Sequence, residues 1–217
     1  MNTFSAPIPM SRKQRQIVHM ACSLFLDYPS PTLLLALDAV EQQIDFLPDL
    51  VAKELKKFCD HIRLVGIRSL AEHYVTTFDQ RRRCSLYLSY FAVGDTRQRG
   101  AALVAFQDAL RVLGFELARN ELPDHLCVIL EASALAESKA HATLVDMLSA
   151  HRDGLEVLRT ALEQLGSPYV HVIQTVCMSL PQIDQETADH YYDLIRQGPP
   201  AELVGIGTPL PFPTTMN

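Results

Sequence analysis

No stretch of this chain approaches the roughly 20 consecutive apolar residues that a bilayer-spanning helix needs. Runs such as Leu33–Leu37 and Leu126–Leu130 fall far short, which excludes a membrane span of that kind. Cysteine is scarce and scattered: Cys22, Cys59, Cys84, Cys127 and Cys177 are odd in number, widely spaced and without a CxxC pair. That pattern excludes a disulfide framework and a zinc knuckle. None of the eight histidines has another three or four residues away, and HExxH does not occur, so no metal motif is present. Phosphate-cradling loops of the GxxxxGK[ST] or GxGxxG type and the GxSxG nucleophile setting are also missing. The N-terminal stretch MNTFSAPIPMSRKQRQ carries its basic residues after a short mixed segment, with no apolar core before them. This is the reverse of a secretory signal, and the expected location is the cytoplasm.

Basic residues run short in one part only. The net charge of −6 conceals 15 Lys+Arg against 12 Asp+Glu over residues 1–120, but 3 against 12 over residues 121–195. A nucleic-acid binder needs a basic face to replace phosphate counterions, so nucleic acid is not the expected partner. The acidic half suits a basic peptide instead.

Sustained strand alternation is lacking, β-branched residues are sparse, and helical periodicity fills the space. Ser11 is placed to cap a helix with apolar positions at Ile17, Ala21, Leu24, Phe25 and Tyr28. Ser30-Pro31 opens a second helix, with Leu33, Leu37, Val40, Ile44 and Leu47 on one face. Pro48 opens a third, striped by Val51, Leu55, Phe58, Ile62 and Val65 and closed by Gly66. A shorter helix follows over 69–78, and an aromatic segment runs on to Gly94. Asp95 to Gln98 resembles a capping box before a helix carrying Leu103, Phe106, Leu110 and Leu113, with Gly114 as its C-terminal residue. Helices are expected from ELPDHL to about Ser138, across 141–165, from Pro168 to Leu180 and over 184–197. The expected fold is all-α, a single globular bundle of roughly nine or ten helices over residues 1–197, with a proline-rich tail over 198–217.

ELPDHL, residues 121–126, places an acid, a proline and an Asp-His pair together. Neighbours on a helix point about 100° apart, so Asp124 and His125 make a poor catalytic dyad. Pro123 at the first helical position would put Asp124 in the first turn, favoured by the helix dipole. Alternatively, Glu121 and Asp124 accept from a partner's lysine or arginine, and His125 offers a donor or a stacking face. Arg81, Arg82, Arg83, Arg97 and Arg99 flank one apolar segment, either as a solvated, ion-paired helix end or as contacts for an anionic cofactor or partner. Between them, Leu86, Tyr87, Tyr90 and Phe91 read as core packing or as an aromatic interface. Cys84 follows three arginines, whose charge would lower its thiol pKa, but no positioned base or second cysteine accompanies it and the reading of a packed thiol is preferred. The other cysteines sit among apolar neighbours and read as packed thiols.

The segments RRRCSLYLSYFAVGDTRQRGAAL, GFEL and ELPDHLCVILEASAL together resemble the NarJ-type chaperones of respiratory nitrate reductase assembly, a branch of the TorD-like molybdoenzyme chaperones. The resemblance is strongest over residues 80–135, looser over 10–197, and extends to LVGIGTPLPF in the tail. It implies a binding protein without turnover, which recognises the N-terminal segment of the apo catalytic subunit. Such a chaperone keeps its client competent for insertion of molybdenum bis(molybdopterin guanine dinucleotide), holding no cofactor stably, and delays membrane docking. It also implies contact with proteins of molybdenum cofactor biosynthesis. The family's acid-proline-Asp-His signature falls on Glu121, Pro123, Asp124 and His125, with Leu122 intervening as in the nitrate reductase branch. On this reading a basic amphipathic helix lays its apolar face on Leu86, Tyr87, Tyr90 and Phe91 and reaches Glu121 and Asp124 with its cations. The alternatives are a chaperone of another molybdoenzyme, a helical protein that binds guanine nucleotide or molybdopterin through the arginines, and a structural adaptor.

Overall fold

The Ser11 hydroxyl accepts from the Gln14 amide while the Gln14 side chain accepts from the Ser11 amide, a complete capping box that starts the first helix. The computed structural model describes residues 4–94, 97–117 and 121–181. Among them are nine α-helices: α1 (Arg12–Leu26), α2 (Leu33–Glu41), α3 (Asp49–Tyr74), α4 (Leu88–Val93), α5 (Arg97–Val112), α6 (Leu126–Leu135), α7 (Ser138–Ala150), α8 (Arg152–Gln164) and α9 (Val170–Ser179). No strand occurs among the described residues, and the fold is all-α. The expected Asp95 capping box, the helix over 184–197 and the tail over 198–217 lie outside the described residues.

Several boundaries differ from the sequence expectation. The second helix stops at Glu41, and Ile44–Phe46 forms a separate 3-10 turn. Its N-cap is Thr32 rather than Ser30, whose hydroxyl pairs with that of Thr32. Gly66 breaks α3 at φ 75°, a conformation costly for residues with a Cβ, so the stripe of Val51, Leu55, Phe58 and Ile62 ends close to where the sequence places it. The helix expected to reach Ser138 ends at Leu135, and α7 starts at Ser138.

α1 lies against α6 and α9, with α3 and α8 also packed on α9. His19, fully buried on α1, is tied at 2.8 Å to Ser133 Oγ on α6 and at 2.9 Å to Ser179 Oγ on α9. Burial, with His141 and Arg15 nearby, pushes its pKa down to about 3, so the ring is neutral. The face of α1 that fills the core is Val18, Ala21, Cys22 and Phe25. Ile17, Met20 and Leu24 are only half-buried, which leaves a second apolar strip on the same helix.

Residues 4–8 cross over α8. The Ser5 amide donates to Glu156 Oε1 at 3.1 Å, Arg152 donates to the Ser5 carbonyl at 2.8 Å, and the Ile8 amide donates to the Met178 carbonyl at 2.8 Å. Glu156, fully buried, also takes Arg152 at 3.1 Å and Arg159 at 2.7 Å. α4 comes close to α8 because position 154 is glycine: a Cβ there would stand 2.9 Å from Phe91 Cδ2.

Candidate functional site

The aromatic segment and ELPDHL are paired by backbone. Leu88 N–H donates to the Asp124 carbonyl at 2.9 Å and Leu126 N–H donates to the Leu86 carbonyl at 2.8 Å, an antiparallel bridge that sets Tyr87 opposite His125. This pairing corrects the expected helix start. Asp124 is not in a first turn: α6 begins at Leu126, and His125, extended at φ −66° and ψ 133°, is its N-cap. His125 Nδ1 accepts from the Cys127 amide at 3.3 Å, leaving Nε2 to carry the proton in the neutral ring.

Asp124 is fully buried, and its Oδ2 accepts from the Ser89 hydroxyl at 2.5 Å and the Ser89 amide at 3.4 Å. It ties α4 to the start of α6. Pro123 is buried beside it. Glu121 is half-exposed; its Oε1 accepts from Leu122 N–H at 2.9 Å and from the Tyr87 hydroxyl at 3.3 Å. The Tyr87 ring meets His125 edge-on at 5.1 Å, and the Arg99 guanidinium lies 4.9 Å over its centre. Burial raises the Tyr87 pKa, helped by Glu121. Burial lowers that of His125, opposed by the carboxylates of Glu121, Asp124 and Asp27.

Of the four residues expected to form a client groove, Leu86, Tyr87 and Tyr90 line part of a cleft beside Glu121 and His125, while Leu86, Tyr90 and Phe91 are largely buried. Leu86 belongs to the main core, while Tyr90 and Phe91 pack with Val157 and are joined by the chain's own Phe4. Tyr87 alone of the four is only half-buried. Cys84 follows the packing reading: it is buried, and desolvation outweighs Arg81 and pushes its pKa up to about 11.

Two recesses flank a ridge made by Glu121 and His125, and both residues line each of them. One is a cleft of about 560 Å³ bordered by Arg81, Arg82 and Arg99 and by Tyr74, Phe78 and Tyr87, with Asp27 and Asp79 at its edge. Arg83 is exposed and does not line it, and Arg97 opens α5 with its side chain outside the described part.

The other is a trough of about 300 Å³ between α1, α6 and the end of α5. Its apolar floor comes from Met20, Leu24, Leu110, Phe115, Leu117 and Val128, and its acidic side chains are Asp27, Glu116, Glu121 and Glu131. No lysine or arginine lines it among the described residues. Sequence reasoning missed Met20, Phe115, Glu116 and Glu131. The available signal was an apolar set on α1 wider than one buried face, coupled with the acidic bias after residue 121.

The chain matches, over residues 45–174, the family model described as nitrate reductase delta subunit. It is 32% identical over 170 residues to the nitrate reductase-like protein NarX of Mycobacterium tuberculosis (strain ATCC 25618 / H37Rv), covering 78% of this chain and 25% of that protein. It thus spans a quarter of the length of that mycobacterial relative. The probable nitrate reductase molybdenum cofactor assembly chaperone NarJ of Bacillus subtilis (strain 168) is 29% identical over 175 residues, 80% of this chain and 94% of that one. The nitrate reductase molybdenum cofactor assembly chaperone NarJ of Escherichia coli (strain K12) is 31% identical over 156 residues, 68% of this chain and 62% of that one.

Proposed function

Because the chain belongs to the nitrate reductase delta subunit family, we propose that it is an assembly chaperone for the catalytic subunit of a respiratory nitrate reductase. It acts as a binding protein without turnover, in the cytoplasm. Its ligand is the N-terminal segment of the apo catalytic subunit, taken up as a basic amphipathic helix. Held in this way, the client stays open for insertion of molybdenum bis(molybdopterin guanine dinucleotide), which is the client's cargo and is not retained by the chaperone. The proteins of molybdenum cofactor biosynthesis are its second class of partner.

The observation that carries this reading is the apolar trough edged by Asp27, Glu116, Glu121 and Glu131. Apolar burial on Met20, Leu24, Phe115 and Val128 supplies affinity, while the carboxylates set encounter rate and register. In this arrangement Glu121 and His125 contact the client directly. Asp124 and Pro123 are positioning residues: Asp124 fixes the backbone that presents His125, through Ser89. Leu86, Tyr90 and Phe91 support Tyr87 from behind.

Isothermal titration with a synthetic peptide of the catalytic subunit's N-terminal region tests it. Saturable binding that weakens as salt rises is the expected result. A folded protein that ignores the peptide at every salt concentration would refute it.

A further inference from the structure

The acidic trough continues along α1 into a second apolar recess of about 330 Å³ between α1 and α2, because Met20 and Leu24 line both. Its lining adds Ile17, Ala39 and Val40, with Lys13 as its only charged residue. Lys13 and Met20 stand seven residues apart on α1, and Asp27 is the C-cap residue directly after Leu26, so the three follow one another close to a line along the helix. From Lys13 to Asp27 that line covers about 21 Å at roughly 1.5 Å per residue, the length of a docked helix of about 14 residues.

Resting on the reading just given, we infer that the two recesses form one directional track, which accepts its helical client in a single orientation. Charge is graded along it: carboxylates at the Asp27 end, none at the Lys13 end. Cationic side chains of the client therefore sit over Glu116, Glu121 and Glu131, and its uncharged or acidic part over Ile17 and Lys13.

The dipole of the docked helix acts in the same sense. A helix N-terminus is stabilised by neighbouring carboxylates and a C-terminus by a neighbouring cation. The client helix consequently runs antiparallel to α1, its first turn near Asp27 and its last turn near Lys13. The partner so defined is an amphipathic helix with basic residues in its first half and an apolar, neutral or acidic second half.

Photocrosslinking of the full chain with the same catalytic-subunit peptide tests this. One version carries benzoylphenylalanine at its first helical position, the other at its last, and the crosslinked residues are mapped by mass spectrometry. The first probe is expected on the segments around Glu116 and Glu131, and the second on those around Lys13 and Ala39. Binding with the two maps exchanged, or with both probes on the acidic half, overturns the directional track and leaves the chaperone reading intact. Absence of binding to the wild-type chain overturns both. A charge swap adds a second readout. Lys13→Glu is expected to weaken a peptide ending in Glu and to strengthen one ending in Lys, each about threefold, and equal affinities for the two peptides would overturn the inference.

Discussion

The Ser89 hydroxyl donates a 2.5 Å hydrogen bond to a carboxylate, Asp124, that no solvent reaches. A buried acceptor of this kind stabilises the fold through the group it satisfies, and removing it strands the partner. Asp124→Ala is expected to lower stability by about 1–3 kcal/mol in urea denaturation. Client affinity should fall along with stability. Glu121→Gln, by contrast, should lower affinity while leaving the denaturation midpoint within error.

Gly154 sets the distance between α4 and α8. A methyl group there meets the Phe91 side chain at 2.9 Å, so Gly154→Ala must push α4 outward or distort Phe91. Overpacking of this sort costs about 1–3 kcal/mol. The denaturation midpoint should drop accordingly, and the near-ultraviolet tyrosine signal should change with the displacement of Tyr87 and Tyr90. An unchanged midpoint would mean that α4 packs less tightly than described.

Glu156 is held by Arg152, Arg159 and the Ser5 amide, and all three side chains are buried. Glu156→Ala removes the carboxylate shared by two buried guanidinium groups, although Arg159 keeps Glu163 at 3.3 Å. Breaking such a group by removing one partner costs about 3–5 kcal/mol. The same change should release residues 4–8, read as faster amide exchange at Ser5. Protection that survives the substitution would show that Phe4 and Ile8 hold the segment by themselves.

His19 links pH to stability. Its folded pKa is pushed down to about 3, below the ordinary histidine value near 6.5. The unfolded chain therefore binds a proton that the folded one does not, and His19 costs stability progressively as pH falls from about 6.5 towards 3. Thermal midpoints should decline over that window. His19→Asn, which retains hydrogen-bonding capacity toward Ser133 and Ser179, should flatten the decline even if it lowers the midpoint at neutral pH.

Much of the fold was legible because it rests on local rules. The Ser11 cap, the α3 stripe and the Gly66 break each follow from residues close in sequence. The α6 boundary did not, because its extended start is fixed by pairing with residues 86–88, more than thirty positions away. Within the site, the signature told which residues gather but not which of them are reachable. Asp124 and Glu121 are both carboxylates three residues apart, yet one is spent inside on Ser89 and the other faces two recesses. Tyr90 and Phe91 read as core packing or as an interface, and the choice was not local: Phe4 packs on them from the far end of the chain, while Tyr90 also lines the cleft. The trough itself is a tertiary product of α1, α5 and α6, and only the excess apolar width of α1 foreshadowed it.

The central claim is that the acidic trough takes a basic client helix. Titration calorimetry with the catalytic-subunit peptide, comparing the wild-type chain with the triple variant Glu116→Gln, Glu121→Gln, Glu131→Gln, tests it most directly. At low salt the triple variant should bind about tenfold more weakly, a difference of about 1.4 kcal/mol, and the gap should narrow as salt screens the charges. Equal affinities for the two proteins, with both shown to be folded, would contradict the account.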